Sequence, residues 1–164
     1  LRDGRQEYIS ETKEKISELG LKNSSAELLP PRTVIVSRTA SVGFSGILSA
    51  PMSTTQDFVN WVCGPMLVPE YLLYVFRSMR EEFRRLIMGS THKTIYMPDA
   101  ASFMTPLPPV NEQQQIFHYI NKHKHSLEQL EDLVASSISK LQEYRTALIS
   151  AAVTGKIDVR KEVV

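Results

Sequence analysis

Basic and hydroxyl-bearing side chains are concentrated between Arg77 and Thr94. Five arginines and lysines in this stretch are opposed by two glutamates, which gives it a formal charge of +3. Hydroxyl and backbone N–H groups donate hydrogen bonds to phosphate oxygens, and lysine or arginine neutralises the phosphate charge. The candidate phosphate contacts are Arg84, Arg85, Ser90, Thr91, His92, Lys93 and Thr94. The competing interpretation is a solvated helix face followed by an ordinary polar loop.

Two further polar clusters have residue types that can read the edges of nucleic-acid bases. The first contains Arg38, Thr39 and Ser41, and the second contains Thr54, Thr55, Gln56 and Asp57. Arginine makes paired hydrogen bonds to guanine, and glutamine makes them to adenine. Taken alone, each cluster is more often a surface loop than a binding site.

The side chains that catalysis requires are not arranged for it in this sequence. The pair Gly155-Lys156 resembles the end of a phosphate-binding loop, but Ser150 and Ile157 replace two residues that the motif needs. The four histidines lack zinc-ligand spacing with any second cysteine, because Cys63 is the only one. The five aspartates form no pair suited to metal-dependent cleavage. We therefore expect no catalysis by this chain alone and assign it no catalytic or metal-binding residue.

Length and composition favour one domain with an appendage. The chain has 164 residues, of which 42% are hydrophobic, and its formal net charge is +1. Because the chain is not basic as a whole, a surface that binds phosphates must be local. The single Cys63 cannot form an internal disulfide, which fits a reducing compartment. No apolar stretch has the length of a membrane span and no signal peptide is visible, and because the chain begins with Leu1 we interpret it as a fragment.

The positions of the polar clusters depend on a small set of predicted elements. A β-branched run over residues 33–37 predicts a buried strand, and residues 38–41 its turn, so that a return strand over 43–48 completes a hairpin. Pro69 is expected to open a helix that ends at Gly89. The remaining expected elements are a short helix over 10–19 ended by Gly20, a strand over 58–63 and a closing strand over 102–107.

The longest predicted element is a helix that begins at Asn111 and stops at Gly155. Asn111 is a strong N-cap residue, and Gln114 completes a capping-box pattern. About forty residues at 1.5 Å each give a rod of roughly 60 Å, and its narrow apolar stripe predicts a second helix alongside it. The stripe residues assigned to pairing are Ile116, Ile120, Leu127, Leu130, Val134, Leu141 and Leu148.

Several motifs together resemble the specificity subunits of type I restriction–modification systems. The motifs are Asn23-Ser24-Ser25, the run from Thr33 to Gly43, the loop from Gly89 to Ile95 followed by Pro98, Leu107-Pro108-Pro109 followed by Glu112-Gln113, and the tail from Leu141 to Asp158. The chain is similar to the C-terminal half of such a subunit, with a target-recognition domain over 1–108 and a long helix with its tail over 109–164. The strand and turn that usually open the recognition domain are missing from this sequence.

This resemblance implies an α+β fold: a small mixed α/β recognition domain with a curved, mainly antiparallel sheet, followed by one long coiled-coil helix. It also implies that the chain reads one half of a split double-stranded DNA target for a complex that methylates adenine or cleaves DNA. The implied partners are methyltransferase subunits, a restriction subunit that translocates DNA, and a second copy or second specificity half that pairs through the helix. S-adenosylmethionine, ATP and Mg²⁺ would bind the partner subunits in the cytoplasm of a prokaryote, and this chain would need no cofactor.

Two other functions stay open. The chain could be the recognition domain of a fused or stand-alone adenine methyltransferase, although such a domain needs no long pairing helix. It could also be a coiled-coil scaffold that does not bind DNA, which the local excess of arginine argues against. Salt-dependent binding to any duplex would separate the scaffold from the DNA-binding proteins.

Overall fold

The chain divides into two compact units in a computed structural model that describes residues 6–39, 41–87 and 94–161. The first unit ends at His118 and the second begins at Tyr119, so that the boundary lies within the long helix. The sequence placed the boundary after residue 108. The first unit therefore includes the opening turns of that helix.

A four-stranded sheet organises the first unit. Its strands are β1 (Tyr8–Ile9), β2 (Val34–Ser37), β3 (Ser45–Leu48) and β4 (Phe58–Trp61), in the order β1-β3-β2-β4. Strand β2 is antiparallel to both β3 and β4, and β1 is parallel to β3. The predicted hairpin and the strand after it are confirmed. Strand β1 was not predicted, because two residues are too few to show an alternating pattern.

The central strand β2 is buried on both faces. Val34 and Val36 contact one cluster of buried residues, and Ile35 contacts another. The first cluster also contains Ile47, Leu72, Leu73, Phe76, Phe83, Ile95 and Ala100, and the second also contains Ile9 and Leu48. A strand covered on both sides needs apolar residues at every position, which explains the uninterrupted β-branched run in the sequence.

The short strand β1 is joined to the rest of the unit by a buried carboxylate. Glu70 is 6% exposed, and it accepts hydrogen bonds from the Tyr8 hydroxyl at 2.8 Å and from the Arg32 guanidinium at 2.9 Å. Burial, followed by the hydrogen bond to Glu70, raises the pKa of Tyr8 to about 12. The tyrosine therefore stays neutral and remains a donor to the carboxylate across the neutral pH range.

The helices of the first unit correct two predictions. Helix α1 covers Glu18–Lys22 and begins at an N-cap serine, Ser17, whose hydroxyl accepts from the Gly20 N–H at 3.1 Å. The prediction over residues 10–19 was wrong because this serine starts the helix, and Gly20 lies inside it. The predicted single helix from Pro69 is two helices, α2 (Pro69–Ser78) and α3 (Arg80–Ile87), separated by Met79.

The break at Met79 directs one aromatic residue of α3 into the core. Phe83 is the buried residue of α3, and its ring centroid lies 6.4 Å from that of Phe76 and 5.4 Å from that of Phe103. The other side chains described in α3 are exposed or half-buried, and most of them are charged. The apolar periodicity continues across Met79, so the sequence pattern alone does not reveal the break.

The predicted closing strand over 102–107 is absent from the described structure. A short helix, α4 (Met97–Ala101), precedes this segment, and Ser102 closes it by donating its N–H to the carbonyls of Pro98 and Asp99. The segment ends in a stretch that contains Pro106, Pro108 and Pro109. Proline has no N–H for a sheet ladder, which explains why the segment does not form a strand.

Helix α5 runs over Val110–Val153, 44 residues in one uninterrupted element. At 1.5 Å per residue it is roughly 66 Å long. It begins one residue before Asn111, so the predicted N-cap at that residue is wrong. Its stop is confirmed: Gly155 has a φ of 73°, and the Lys156 N–H donates to the Ala151 carbonyl at 2.9 Å.

The opening turns of α5 are held within the first unit by a buried amide. Gln113 is fully buried, and its Oε1 accepts from the Val68 N–H at 2.8 Å. Its Nε2 donates to the Met66 carbonyl at 2.9 Å and to the Pro108 carbonyl at 2.8 Å. The opening turn of α5 is thereby held against the loop that leads into α2.

Over the described residues, no helix combines the length and the apolar character that crossing a membrane requires.

Candidate nucleic-acid interface

The first polar cluster lies at the tip of the β2–β3 hairpin, as the sequence predicted. The tip is closed by backbone hydrogen bonds from Gly43 N–H to the Ser37 carbonyl at 2.9 Å and from Phe44 N–H to the Ser41 carbonyl at 3.2 Å. Gly43 has a φ of 83°, and a β-carbon at this position would lie 2.7 Å from Cδ2 of Phe83. Glycine is required here both by the backbone conformation and by the contact with α3.

The second polar cluster contacts the first through Asp57. The backbone carbonyl of Asp57 accepts from the Arg38 N–H at 2.8 Å. Its Oδ1 accepts from the Thr39 hydroxyl at 2.7 Å, and its Oδ2 accepts from the Thr55 hydroxyl at 3.3 Å. Two segments that are 18 residues apart in sequence therefore form one polar surface, and Asp57 joins them.

The candidate phosphate contacts between Arg84 and Thr94 reach the same surface at their last residue, Thr94. Thr94 pairs with Thr39 in an isolated antiparallel bridge, and the Ile95 N–H donates to the Arg38 carbonyl at 2.9 Å. Ile95 is 1% exposed and anchors this segment in the core. The other candidates of the loop, Ser90, Thr91, His92 and Lys93, lie outside the described residues.

The candidate arginines of α3 lie on a helix that packs against the hairpin. Phe83 contacts Gly43, and the Arg80 guanidinium carbon lies 5.0 Å from the centre of the Phe44 ring. Arg84 and Arg85 are exposed, and Arg84 pairs with Glu81. The described contacts do not join Arg84 or Arg85 to Thr39 or Thr55, so these arginines form a separate part of the candidate surface.

An open cleft of about 890 Å³ adjoins the second cluster. Thr54, Thr55 and Gln56 line it, and Lys15 lies among the other lining residues. Further lining residues are Glu14, Ser24, Ser25, Glu27, Asp57 and Asn60. The cleft is rich in hydrogen-bonding groups but is not basic, because three acidic side chains line it. Strong attraction to phosphates must come from elsewhere, and the α3 arginines are suited to it.

Some polar atoms near this surface are buried without a partner among the described residues. They include Nε of Arg38 and Oδ1 of Asn60. Asn60 uses its other amide atom to donate to the Thr54 hydroxyl at 2.8 Å. A buried polar atom without a hydrogen bond is costly, and because these two atoms have almost no accessible surface they are not themselves contacts for a bound duplex.

The sequence did not predict the roles of two residues of this surface. Asp57 was placed in the second polar cluster and considered as a possible catalytic carboxylate, but it was not assigned to DNA contact, and Asn60 was assigned only to a strand. The position of Asp57 two residues after Thr55 is typical of a turn in which side chains bond to nearby backbone groups. That pattern indicates the local turn, but it does not predict the contact with Thr39.

The described residues do not have the geometry of a metal or thiol centre. Over 6–39, 41–87 and 94–161, no three His, Cys, Asp or Glu side chains come together as a metal site. Cys63 is half-buried beside the core, and burial raises its pKa to about 11. Its thiol is therefore protonated at neutral pH, which is unsuited to a nucleophile.

Comparisons with known proteins agree with the motifs in the sequence. The family described as the type I restriction modification DNA specificity domain matches residues 3–134. A specificity subunit of the type I restriction enzyme MjaIX from Methanocaldococcus jannaschii is 31% identical over 111 residues, which cover 66% of this chain and 26% of that relative. The chain thus spans about a quarter of the length of this relative.

Two solved structures share the fold. A chain from a type I restriction–modification system superposes with a TM-score of 0.69 at 21% identity, covering 77% of this chain and 31% of that one. The HsdS subunit from Thermoanaerobacter tengcongensis superposes with a TM-score of 0.59 at 22% identity, covering 79% of this chain and 31% of that one. The predicted fold, with a small mixed α/β domain followed by one long helix, is confirmed by these structures. With its family match over most of its length, the chain belongs to the type I restriction–modification DNA specificity domain family.

Proposed function

We propose that this chain reads one half of a bipartite double-stranded DNA target for a type I restriction–modification complex. The observation that carries the proposal is the meeting of three separate segments. Asp57 contacts Arg38, Thr39 and Thr55, and Thr94 pairs with Thr39. These segments were selected from the sequence for residue types that contact bases and phosphates. A scaffold that does not bind DNA would not require them to converge.

The assignment of regions follows from this role. Residues 1–108 would be the target-recognition domain, and residues 109–164 would be a spacer and pairing helix with its tail. The specificity subunit from Methanocaldococcus jannaschii belongs to a type I restriction enzyme. By analogy, methyltransferase subunits and a restriction subunit would assemble with this chain in the cytoplasm of a prokaryote, and those subunits would bind S-adenosylmethionine, ATP and Mg²⁺.

The apolar side chains of α5 support pairing with a second helix. Leu127, Leu130, Val134, Leu141 and Leu148 are between 44% and 67% exposed in the single chain. Ile116 and Ile120, at the start of the predicted stripe, are half-buried. A long apolar stripe exposed to water favours association with a like helix, and a helix of fixed length suits a target with fixed spacing. This feature favours the proposal over the recognition domain of a fused methyltransferase.

A titration of duplex DNA with the chain and its methyltransferase tests the assignment of individual residues. Arg84→Ala and Lys93→Ala should weaken binding to all sequences and lower the salt slope by about one unit each. Arg38→Ala and Gln56→Ala should instead relax the preference at one base pair by about 1–3 kcal/mol. Fluorescence titration against single-position variants of the target, at several salt concentrations, separates these two effects.

Lys140→Ala, which removes an exposed charge from α5, is the matched control and should leave both quantities unchanged. The half-site needed for the titration comes from methylome sequencing of a host that expresses this chain with its methyltransferase. Unchanged DNA binding in all four site variants would contradict the residue assignment. If the wild-type chain and its methyltransferase ignore duplex DNA at low ionic strength, the function itself is wrong.

A further inference from the structure

The threonine hydroxyl groups near Asp57 differ in whether they can still donate a hydrogen bond to DNA or can only accept one. We propose that Thr39, Thr55 and Asp57 form an acceptor surface that selects a base with an exocyclic amino group, either cytosine or adenine, in the major groove. This inference rests on the proposed DNA-binding function and names one specificity determinant within it.

The direction of the hydrogen bond fixes the role of Thr39. An ionised carboxylate has no proton to give, so the Thr39 hydroxyl must be the donor in its 2.7 Å contact with Oδ1 of Asp57. Lone pairs of the hydroxyl oxygen remain for contact with DNA. Phosphate oxygens also only accept hydrogen bonds, so Thr39 cannot bind a phosphate without breaking its bond to Asp57.

Thr55 is oriented in the same way by a weaker pair of contacts. Its hydroxyl donates to Oδ2 of Asp57 at 3.3 Å and accepts from the Asp57 N–H at 3.3 Å. The two carboxylate oxygens have further lone pairs that these two bonds do not use. The three residues together therefore present acceptors from both loops and no side-chain donor.

The neighbouring Thr54 has the opposite role. Its hydroxyl accepts from the Asn60 amide at 2.8 Å, which leaves its own proton available for donation. Thr54 can therefore contact a phosphate directly, whereas Thr39 and Thr55 would first have to break their hydrogen bonds to Asp57. Residue type alone does not separate these threonines, and the hydrogen-bond directions do.

Base chemistry in the major groove matches an acceptor surface. Cytosine presents its N4 amino group and adenine its N6 amino group, whereas guanine O6 and thymine O4 are acceptors. Guanine would place the lone pairs of its O6, and thymine those of its O4, next to the lone pairs of Asp57 and the threonines, and this contact is repulsive. A carboxylate that faces DNA also weakens binding to every sequence, so its benefit must lie in discrimination between bases.

The test uses the chain with its methyltransferase and a set of duplexes altered at each position of the half-site. At one position, replacing adenine by purine or cytosine by 2-pyrimidinone removes the amino group and should weaken wild-type binding about tenfold to a hundredfold. Asp57→Asn adds a donor to the surface, and Thr39→Val removes the hydroxyl oxygen. Both variants should lose most of the discrimination at that position, and Thr39→Ser should retain it.

Glu18→Gln is the matched charge control, because it removes an exposed carboxylate of α1 that does not line the cleft. It should leave base discrimination unchanged at every position. Thermal melting identifies any misfolded variant, and Thr39→Val keeps the β-branched shape in case Asp57→Asn does not fold. If the wild type discriminates between bases while Asp57→Asn and Thr39→Val keep that discrimination at all positions, the acceptor surface is overturned. If the wild type binds no duplex, the proposed function fails first.

Discussion

Gln113 makes hydrogen bonds to three backbone groups through one buried side-chain amide. This role could not be predicted from residue type and local spacing. The resemblance to the family included Gln113 in a motif, whereas the capping pattern selected its neighbour Gln114. In the structure, Gln113 is the buried residue and contacts Val68, Met66 and Pro108. Local spacing assigned the cap of this helix wrongly, and it cannot predict a contact 45 residues away along the chain, because that contact depends on the whole fold. The bond between Asp57 and Thr39, which lie 18 residues apart, was not predicted for the same reason.

Gln113→Leu should lower the free energy of unfolding by about 2–4 kcal/mol, because partly buried backbone groups lose their hydrogen-bond partners. Chemical denaturation followed by circular dichroism measures this change. Gln115→Leu is the matched control: it alters an exposed glutamine two residues further along the helix and should change stability by less than about 0.5 kcal/mol. Equal stability of the two variants would show that the buried amide does not hold the start of α5.

The elements of the first unit were predictable where one local signal dominates. The hairpin follows from the β-branched run before its turn, and Gly43 marks the turn because its φ of 83° disfavours other residues. The two-helix arrangement from Pro69 was not predictable, because the apolar face continues through Met79. The apolar residues of 102–107 led to the wrong prediction of a strand. The nearby prolines prevent a strand because they have no N–H to donate to a sheet.

The packing of α3 on the hairpin is tested by Gly43→Ala. The added β-carbon would lie 2.7 Å from Phe83, and the left-handed backbone conformation disfavours alanine, so we expect a loss of about 1–3 kcal/mol in unfolding free energy. Gly64→Ala is the matched control, because no atom lies within 4 Å of its added β-carbon. The midpoint of urea unfolding should fall for the first variant alone. Equal midpoints would contradict the proposed tight contact at Gly43.

On the scale of the whole molecule, the sequence predicts a recognition domain and a spacer helix with a boundary after residue 108. The compact units of the fold divide ten residues later, after His118. Pattern reasoning placed the boundary at the prolines before the helix, whereas the first turns of α5 pack in the first unit through Gln113 and Phe117. Amphipathic periodicity predicted the length of α5 closely, because one repeat continues along nearly the entire element. The same periodicity gives no information about which chain covers the stripe, so the proposed pairing between two copies must be tested by experiment.

Leu130→Glu combined with Leu141→Glu should convert a dimer into a monomer in sedimentation velocity at micromolar concentration. Each buried leucine contributes about 1.5–3 kcal/mol, and a twofold pair contains both residues twice, so pairing should weaken by at least about 6 kcal/mol. Ser136→Glu combined with Ser139→Glu is the matched control, because at 100° per residue these serines lie on the opposite side of α5. The control adds the same charge and should stay dimeric. A monomeric wild-type chain, or equal dissociation of both double variants, would mean that the apolar stripe does not mediate pairing between copies.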